Sequence, residues 1–194
     1  MKTVAIIPAG GSGRRLQTGV AKQYLILEGL PVLVRSLRVF EQAPVVDEVI
    51  VVVPQSDIEF VRKELVKHYN LRKVAEVLAG GAERQDSVRN GLAIIDDTCG
   101  IVLVHDGVRP FVTVDMINDV VAAARNDQAA AIGVAVKDTV KETREDGFVT
   151  KTVPRSSLWL AQTPQAFKCN ILQDAYRSAQ KDNYHGADDA SLVE

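Results

Sequence analysis

A glycine-rich loop near the amino terminus carries residue types that bind polyphosphates. It reads Ala-Gly-Gly-Ser-Gly-Arg-Arg over residues 9–15, and Lys22 follows soon after. Backbone N–H groups that glycine leaves uncovered can surround phosphate oxygens, and the cationic side chains can neutralise their charge. The loop therefore predicts a phosphate-binding site. The alternative is a plain glycine turn with two solvated arginines.

Three familiar glycine-containing motifs do not fit this loop. A dinucleotide-binding fingerprint needs glycine at the position of Leu16, and a P-loop needs glycine where Ala21 precedes the lysine. A nucleophile elbow around Ser12 would need glycine at the position of Arg14. The mismatch with the fingerprint leaves a dehydrogenase as a weak alternative function.

Two further polar clusters have the composition of binding loops. Residues 80–87 read Gly-Gly-Ala-Glu-Arg-Gln-Asp-Ser and open a predicted helix, whose free N–H groups favour an anion or a polar base edge. Asp106 and Arg109, three residues apart, can hold a ligand hydroxyl and a phosphate. The alternatives are a helix cap with surface charges and a local ion pair at a turn. His105 is interpreted as structural, and the three histidines are not grouped for metal ligation, so no protein-held metal site is predicted.

Each of these clusters follows a predicted β-strand. Apolar and β-branched runs predict strands at 4–7, 49–53, 74–79, 101–104 and 131–136. Apolar residues at helical spacing predict intervening helices at 31–41, 58–65, 84–95, 114–121 and 168–182, with Ser56 and Thr113 as N-caps. This alternation predicts an α/β fold with three layers, in which a Rossmann-like, mostly parallel sheet has helices on both faces. Ligands bind beyond the carboxyl ends of such strands, where the three clusters lie.

The pattern changes after residue 137. Residues 139–142 and 148–153 alternate in polarity, and the turn between them contains Asp146-Gly147, which is a hairpin signal. We expect a projecting β-hairpin arm at about 138–155 within a single domain spanning 1–194. An isolated two-stranded hairpin is marginally stable in water, so the arm is expected to pack on another surface.

Composition narrows the possible partners and location. The net charge of −2, from 23 basic and 25 acidic side chains, offers no basis for non-specific nucleic-acid binding. The first apolar run, residues 4–7, is too short for a signal-peptide core or a membrane span. Cys99 and Cys169 lie far apart in the sequence and are interpreted as reduced thiols. We therefore expect a cytoplasmic protein that binds neither nucleic acid nor membranes.

Five sequence blocks occur in an order that resembles one enzyme family. They are Pro-Ala-Gly-Gly-Ser-Gly-Arg-Arg at 8–15 with Ala-Lys-Gln-Tyr at 21–24, Gly-Gly with Arg84 and Ser87 at 80–87, His-Asp-Gly-Val-Arg-Pro at 105–110, Lys-Asp-Thr-Val-Lys at 137–141, and Gln-Thr-Pro-Gln at 162–165. Among sugar-phosphate nucleotidyltransferases, these blocks resemble the 2-C-methyl-D-erythritol 4-phosphate cytidylyltransferases. The resemblance implies transfer of CMP from CTP to that sugar-alcohol phosphate, with release of pyrophosphate, in non-mevalonate isoprenoid precursor synthesis.

The resemblance also implies roles for individual residues. The implied catalytic residues are the cations Arg15, Lys22 and Arg155. The implied nucleotide-binding residues are Ala9, Gly10, Gly11, Gly13, Gly81, Ala82 and Ser87, and the implied contacts to the erythritol phosphate are Asp106, Arg109, Thr139, Arg155 and Thr163. Mg²⁺ held mainly by the CTP phosphates is the implied cofactor. The implied assembly is a homodimer whose hairpin arms are exchanged.

Four features depart from the family pattern. Ala21 replaces a usual proline, Ala82 stands where some relatives have aspartate, and Ala187 stands where relatives often have threonine. Relatives also continue beyond the position of Glu194 through another strand and helix that carry a substrate-contacting lysine. We therefore expect that the carboxyl-terminal end is incomplete and that the 194-residue form has little activity.

The implied reaction needs no general base. A substrate phosphate with a second pKa near 6 is largely dianionic at neutral pH and can attack the α-phosphorus of CTP directly. The protein must then supply alignment and charge compensation, which suits arginine and lysine. The alternatives are a ribitol 5-phosphate or other sugar-phosphate cytidylyltransferase, and a non-catalytic binding module that retains the fold.

Overall fold

Strands and helices alternate along most of the chain, whose computed structural model describes residues 1–11 and 20–194. In chain order the elements are β1 (Lys2–Pro8), β2 (Ile26–Leu27), β3 (Leu30–Pro31), α1 (Val32–Gln42), β4 (Glu48–Val53), α2 (Ile58–Phe60), β5 (Val74–Ala79), α3 (Arg84–Leu92), β6 (Cys99–Val104), α4 (Val114–Asp127), β7 (Ala129–Ala135), β8 (Val140–Thr143), β9 (Val149–Val153), β10 (Trp159–Lys168), α5 (Cys169–Lys181) and α6 (Ala190–Val193). A π-helical stretch, Val61–Lys67, continues α2, and short 3₁₀ turns lie at Lys22–Tyr24, Gln55–Asp57 and Arg155–Ser157.

Six strands form one mostly parallel sheet in the order β5-β4-β1-β6-β10-β7. Strands β5, β4, β1 and β6 pair in parallel, and Ile6 of β1 lies between Ile50 of β4 and Val104 of β6. Strand β10 runs antiparallel to both β6 and β7. The parallel strands thus point their carboxyl ends toward the same edge, where the polar clusters were predicted to meet.

The two faces of the sheet are covered by different helices. Ala5 and Ile7 of β1 lie in one apolar cluster with side chains from α1 and α4. Val4 and Ile6 lie in a second cluster with side chains from α3 and α5. Successive side chains of a strand point to opposite faces, so an uninterrupted apolar strand is buried from both sides. The predicted three-layer α/β fold is confirmed.

The structure differs from the predicted elements in three strands and in two helix ends. No strand was predicted for β2, β3 or β10, and β10 lies inside the sheet between β6 and β7. Helix α3 ends at Leu92, earlier than predicted, and α4 continues to Asp127, later than predicted. An amphipathic pattern locates a helix better than it fixes its ends.

The two predicted helix caps have different outcomes. Thr113 Oγ1 accepts a hydrogen bond from Met116 N at 3.2 Å, so its predicted N-cap role is confirmed. The cap predicted at Ser56 is wrong. Its hydroxyl donates to Asp57 Oδ1 at 2.8 Å, and the segment begins as a 3₁₀ turn.

Strands β8 and β9 form a separate two-stranded antiparallel sheet. Val140 pairs with Val153 at its base, and these two side chains are half-buried while the rest of both strands is exposed. At the tip, Gly147 has φ +84° and donates its N–H to Arg144 O at 2.9 Å. Glycine adopts this backbone conformation without the steric cost that other residues meet.

The two cysteines are neighbours in the fold although 70 positions separate them. Both are buried free thiols in the cluster beneath α3 and α5. A hydrogen bond with Cys169, together with burial, raises the pKa of the Cys99 thiol. The structure therefore agrees with the prediction of reduced thiols.

Candidate active site at the carboxyl edge of the sheet

The loops that follow β1, β5 and β6 meet through backbone contacts. Gly107 N donates to Pro8 O at 3.0 Å, which ties the third polar cluster to the first glycine loop. A Cβ on Gly107 would lie 3.0 Å from the Cβ of Ala9 and 2.9 Å from a methyl of Leu33, so this approach leaves room only for glycine. Gly80 N donates to Val53 O at 2.8 Å and anchors the second cluster beside β4. The structure thus brings all three predicted clusters to one edge.

The described part of the first loop covers only some of the predicted phosphate-binding residues. Ala9 is buried and donates its N–H to Val52 O at 2.7 Å, whereas Gly10 and Gly11 are exposed. Among the residues that the structure describes, none lies within 4 Å of a Cβ built on Gly11. Gly13 and Arg15 lie outside the described residues.

The second cluster forms a tight turn before α3. Gly81 N donates to Ser87 Oγ at 3.2 Å, and that hydroxyl donates to Glu83 O at 3.2 Å. A Cβ on Gly81 would lie 2.2 Å from the Cβ of Asp86, so a larger residue would displace the turn. Gly81 and Ala82 are exposed and Ser87 is buried. The N–H of Gly81 is therefore paired with Ser87 inside this turn.

An ion-pair cluster lies beyond the end of β6. Arg84 Nε donates to Asp106 Oδ1 at 2.9 Å, and Arg109 Nε donates to Asp106 Oδ2 at 2.9 Å. Burial alone would raise the pKa of Asp106, but the charge of Arg84 and the hydrogen bonds from both arginines outweigh it and hold that pKa below its ordinary value. Asp106 is therefore an ionised hydrogen-bond acceptor at neutral pH, and it is poorly suited to take a proton.

The histidine beside this cluster is part of its scaffold. His105 is fully buried, with Nε2 3.1 Å from Arg109 O and Nδ1 3.1 Å from Thr163 Oγ1. Burial lowers the pKa of His105 to about 4, so the ring is neutral at pH 7. This agrees with the predicted structural role. Thr163 Oγ1 also accepts a hydrogen bond from Asp106 N at 3.2 Å, so this predicted substrate contact helps to fix the Asp106 backbone.

Four residues of the cluster, Gln162, Arg84, Asp189 and Tyr176, were not among the predicted site residues. Gln162 Oε1 accepts a short hydrogen bond from Arg109 Nη1. Arg84 Nη2 donates to Asp189 Oδ2 at 2.7 Å, and Tyr176 OH donates to Asp189 Oδ1 at 2.5 Å. Gln162 falls within a quoted motif, and Asp188-Asp189 form an acidic pair, but nothing local in the sequence connects either to Asp106.

The remaining predicted residues lie elsewhere on the surface. Lys22 is exposed at the start of the 3₁₀ turn Lys22–Tyr24, and within residues 1–11 and 20–194 it forms no ion pair. Arg155 and Thr139 are exposed near the base of the hairpin, where Arg155 Nη1 donates to Lys137 O. Over the same residues, no hydrogen bond or ion pair joins these two side chains to the Asp106 cluster.

The described part of the chain offers no preformed metal cage and no membrane span. It contains no group of three or more His, Cys, Asp or Glu side chains placed to hold a metal ion. None of the helices that the structure describes is long and apolar enough to cross a bilayer.

Comparison with known proteins identifies the family. The family model described as 2-C-methyl-D-erythritol 4-phosphate cytidylyltransferase matches residues 3–194. A relative of that name from Syntrophus aciditrophicus is 52% identical over 193 residues, covering 100% of this chain and 82% of the relative. This chain belongs to that family. The cytidylyltransferase of Geobacter metallireducens is 47% identical and is covered to 84% of its length by the whole of this chain.

Solved structures support the same assignment. The 4-diphosphocytidyl-2C-methyl-D-erythritol synthase of Anaerococcus prevotii gives a TM-score of 0.85 at 29% identity, over 98% of this chain and 82% of that chain. The 2-C-methyl-D-erythritol 4-phosphate cytidylyltransferase of Francisella tularensis gives a TM-score of 0.82 at 32% identity, over 100% of this chain and 85% of that chain. The resemblance drawn from the sequence is confirmed, and the cytidylyltransferase family is favoured over the ribitol 5-phosphate alternative.

Proposed function

We propose that this chain transfers CMP from CTP to 2-C-methyl-D-erythritol 4-phosphate and releases pyrophosphate, as a step of isoprenoid precursor synthesis. The observation that carries the proposal is the family match, which extends over residues 3–194. Gly81, Asp106 and Arg109 lie at the carboxyl edge of the sheet, and proteins of this fold class bind their ligands at that edge.

The proposed site has two halves. CTP lies against the first loop, through Ala9, Gly10, Gly11 and Gly13, and against the turn before α3, through Gly81, Ala82 and Ser87. The erythritol phosphate lies toward Asp106, Arg109 and Thr163, with Thr139 and Arg155 supplied by the hairpin. Asp106 is ionised and held in place by Arg84 and Arg109. A carboxylate in this state is suited to accept a hydrogen bond from a substrate hydroxyl.

The chemical step is an attack by a phosphate oxygen of the polyol phosphate on the α-phosphorus of CTP. The bond between the α-phosphorus and the bridging oxygen to the β-phosphorus breaks, and pyrophosphate leaves with that oxygen. Because the attacking phosphate is largely dianionic at neutral pH, the protein has to align the reactants and balance charge. Lys22 and Arg15 are proposed to stabilise the charge that gathers around the α-phosphorus.

The nucleotide substrate is proposed to enter as its Mg²⁺ complex. A triphosphate offers Mg²⁺ several oxygen ligands, and this ion commonly binds through substrate phosphates rather than through an all-protein cage. When bound, the ion shares the neutralisation of the triphosphate with Lys22 and Arg15. We further propose a cytoplasmic location, supported by two buried free thiols.

We also propose a homodimer whose hairpin arms are exchanged. The hairpin strands are almost wholly exposed, and a two-stranded sheet needs a supporting surface. Beside it, apolar side chains of β7 and β10 are also uncovered, with Val134 49%, Trp159 65% and Leu160 56% exposed. A second copy related by two-fold symmetry would cover these side chains and let Arg155 reach the partner's site.

Pyrophosphate release across the four nucleoside triphosphates, with 2-C-methyl-D-erythritol 4-phosphate as acceptor, tests the proposed reaction. The wild type used in this and the following assays carries a carboxyl-terminal extension to the length of the relatives, because this chain covers 82% of one of them. We expect release with CTP and formation of the cytidine diphosphate product. Ribitol 5-phosphate in place of the erythritol phosphate should give little product. Release only with another nucleotide, or equal turnover of ribitol 5-phosphate, would contradict the proposal.

Mixing two inactive variants tests the exchanged arm. In a version with a complete carboxyl-terminal tail, Arg15→Ala and Arg155→Ala homodimers should each be nearly inactive. After subunit exchange, a heterodimer in the crossed arrangement has one doubly altered site and one intact site. Activity should therefore recover to about half of wild type per heterodimer, by counting sites under the two-fold rule. No recovery despite measured subunit exchange would show that Arg155 acts within its own subunit.

A further inference from the structure

A buried carboxylate connects the carboxyl-terminal segment to the proposed erythritol-phosphate site. Asp189, which precedes α6, is fully buried. Its Oδ1 accepts a hydrogen bond from Tyr176 OH at 2.5 Å, and its Oδ2 accepts one from Arg84 Nη2 at 2.7 Å. A buried charge is strongly unfavourable unless it is paired, so Asp189 and Arg84 depend on each other.

Arg84 is the bridge between this carboxylate and Asp106. The same guanidinium that binds Asp189 through Nη2 binds Asp106 Oδ1 through Nε at 2.9 Å. Because a guanidinium is planar and rigid, fixing the direction of its Nη2–H bonds also fixes the direction of its Nε–H bond. Asp189 therefore sets the orientation of the Nε–H group that binds Asp106 Oδ1.

The four charged side chains in this series of ion pairs balance one another. Asp189 and Asp106 carry two negative charges, and Arg84 and Arg109 carry two positive charges. Burial alone would lower the pKa of Arg84, but the charge of Asp189 and its hydrogen bond outweigh it, so Arg84 remains charged. Because Asp189 engages Nη2 of Arg84, Arg84 binds Asp106 through Nε at one oxygen, and the second oxygen of Asp106 binds Arg109 Nε.

We infer that Asp189 is a positioning residue for the erythritol-phosphate site, acting through Arg84 on Asp106 and Arg109. The inference rests on the proposed function. Without a charge at position 189, Arg84 is free to bind Asp106 through both Nε and Nη2, where it competes with Arg109 for the second carboxylate oxygen. The pair that faces the substrate then loses its fixed geometry, while the nucleotide loop keeps its own hydrogen bonds.

A purely structural role for Asp189 has different consequences. The same segment is also tied to α3 through Gln85, whose Oε1 accepts from Gly186 N at 3.1 Å and whose Nε2 donates to Tyr184 O at 3.0 Å. If Asp189 only helped to attach this segment to α3, replacing it would lower the free energy of unfolding without a selective change in KM for one substrate. The two roles can therefore be separated by kinetics.

Asp189→Asn, with Asp188→Asn as the matched control, tests the inference. Asp188 is the adjacent residue and bonds to Gln165 Nε2 at 2.7 Å and to Ser191 N at 3.0 Å instead of to Arg84. For Asp189→Asn we expect KM for the erythritol phosphate to rise about ten- to a hundredfold, the usual range for a lost charged hydrogen bond. KM for CTP should change less than about threefold, and Asp188→Asn should leave both KM values within about twofold.

A double-mutant cycle checks the route of action. If Asp189 acts through Asp106, adding Asp189→Asn to Asp106→Asn should raise KM for the erythritol phosphate less than about twofold further, because the effects share one network. Additive effects, or a normal KM in Asp189→Asn, would overturn the inference while leaving the proposed function intact. Absence of turnover by the wild type would overturn the proposed function and this inference with it.

Tyr176→Phe provides a second variant if Asp189→Asn does not fold. It removes one hydrogen bond to Asp189 and keeps the carboxylate charge. We expect KM for the erythritol phosphate to rise about two- to tenfold, again with little change in KM for CTP. Equal changes in both KM values would overturn the positioning role.

Discussion

Mild acid should destabilise this protein through His105. Burial lowers the pKa of His105 from its ordinary value of 6.5 to about 4. As the pH falls below 6.5, the unfolded chain takes up a proton on this histidine while the folded chain does not, so the free energy of unfolding decreases with falling pH. The gap of about 2.5 pH units, at about 1.4 kcal/mol per unit, corresponds to at most about 3.5 kcal/mol, most of it lost between pH 6.5 and 4.

Urea denaturation followed by circular dichroism, between pH 7 and pH 4.5, measures this effect. His105→Gln keeps an amide that can donate and accept hydrogen bonds but does not titrate. Its loss of stability relative to wild type should therefore be largest at pH 7 and shrink by about 2–3 kcal/mol by pH 4.5. Asp106 and Asp188 have lowered pKa values, so their stabilising contribution is lost only at more acidic pH. Both residues are present in wild type and in His105→Gln, so they do not affect the difference between the two proteins.

The refuting result is a constant difference between the two proteins. If the unfolding free energies of wild type and His105→Gln run parallel from pH 7 to pH 4.5, His105 binds its proton equally in both states. The ring would then be hydrated or paired with a carboxylate, in conflict with its burial between Thr163 and the Arg109 carbonyl.

Three further predictions concern the substrate loops. Gly81→Ala should lower the free energy of unfolding by about 1–3 kcal/mol and raise KM for CTP, because its Cβ would lie 2.2 Å from the Cβ of Asp86. Gly11→Ala, whose Cβ would meet none of the described residues within 4 Å, should change the free energy of unfolding measured in urea by less than about 0.5 kcal/mol. Equal stability of the two variants would contradict this prediction. Lys22→Ala should lower kcat at least about a hundredfold with a smaller change in KM for CTP, and the reverse pattern in steady-state kinetics would make Lys22 a ground-state binder. The kcat/KM for CTP should exceed that for UTP about ten- to a hundredfold, because position 4 of the base carries a hydrogen-bond donor in cytosine and an acceptor in uracil. Equal kcat/KM values would contradict this prediction.

Much of the fold, and the placement of polar loops at one edge of the sheet, could be predicted from the sequence. Buried parallel strands need long apolar runs, so residues 49–53 and 74–79 were recognisable as strands without knowledge of their partners. A parallel sheet also places the loops after its strands at one edge, which is why the glycine loop and the Asp106–Arg109 cluster could be expected together. Family resemblance then supplied the chemistry, because the motifs occur in order over nearly the whole chain.

The sequence alone determined the alternation of strands and helices, the phosphate-binding composition of the loops and the family. Only the tertiary structure decided that β10 runs antiparallel inside the sheet, and that Asp189 lies against Arg84, 105 positions away. The physical reason is that periodicity and turn chemistry act over a few residues. Partners brought together by chain packing leave no local signal, so nothing in the acidic pair Asp188-Asp189 indicates that Asp189 is fully buried against Arg84.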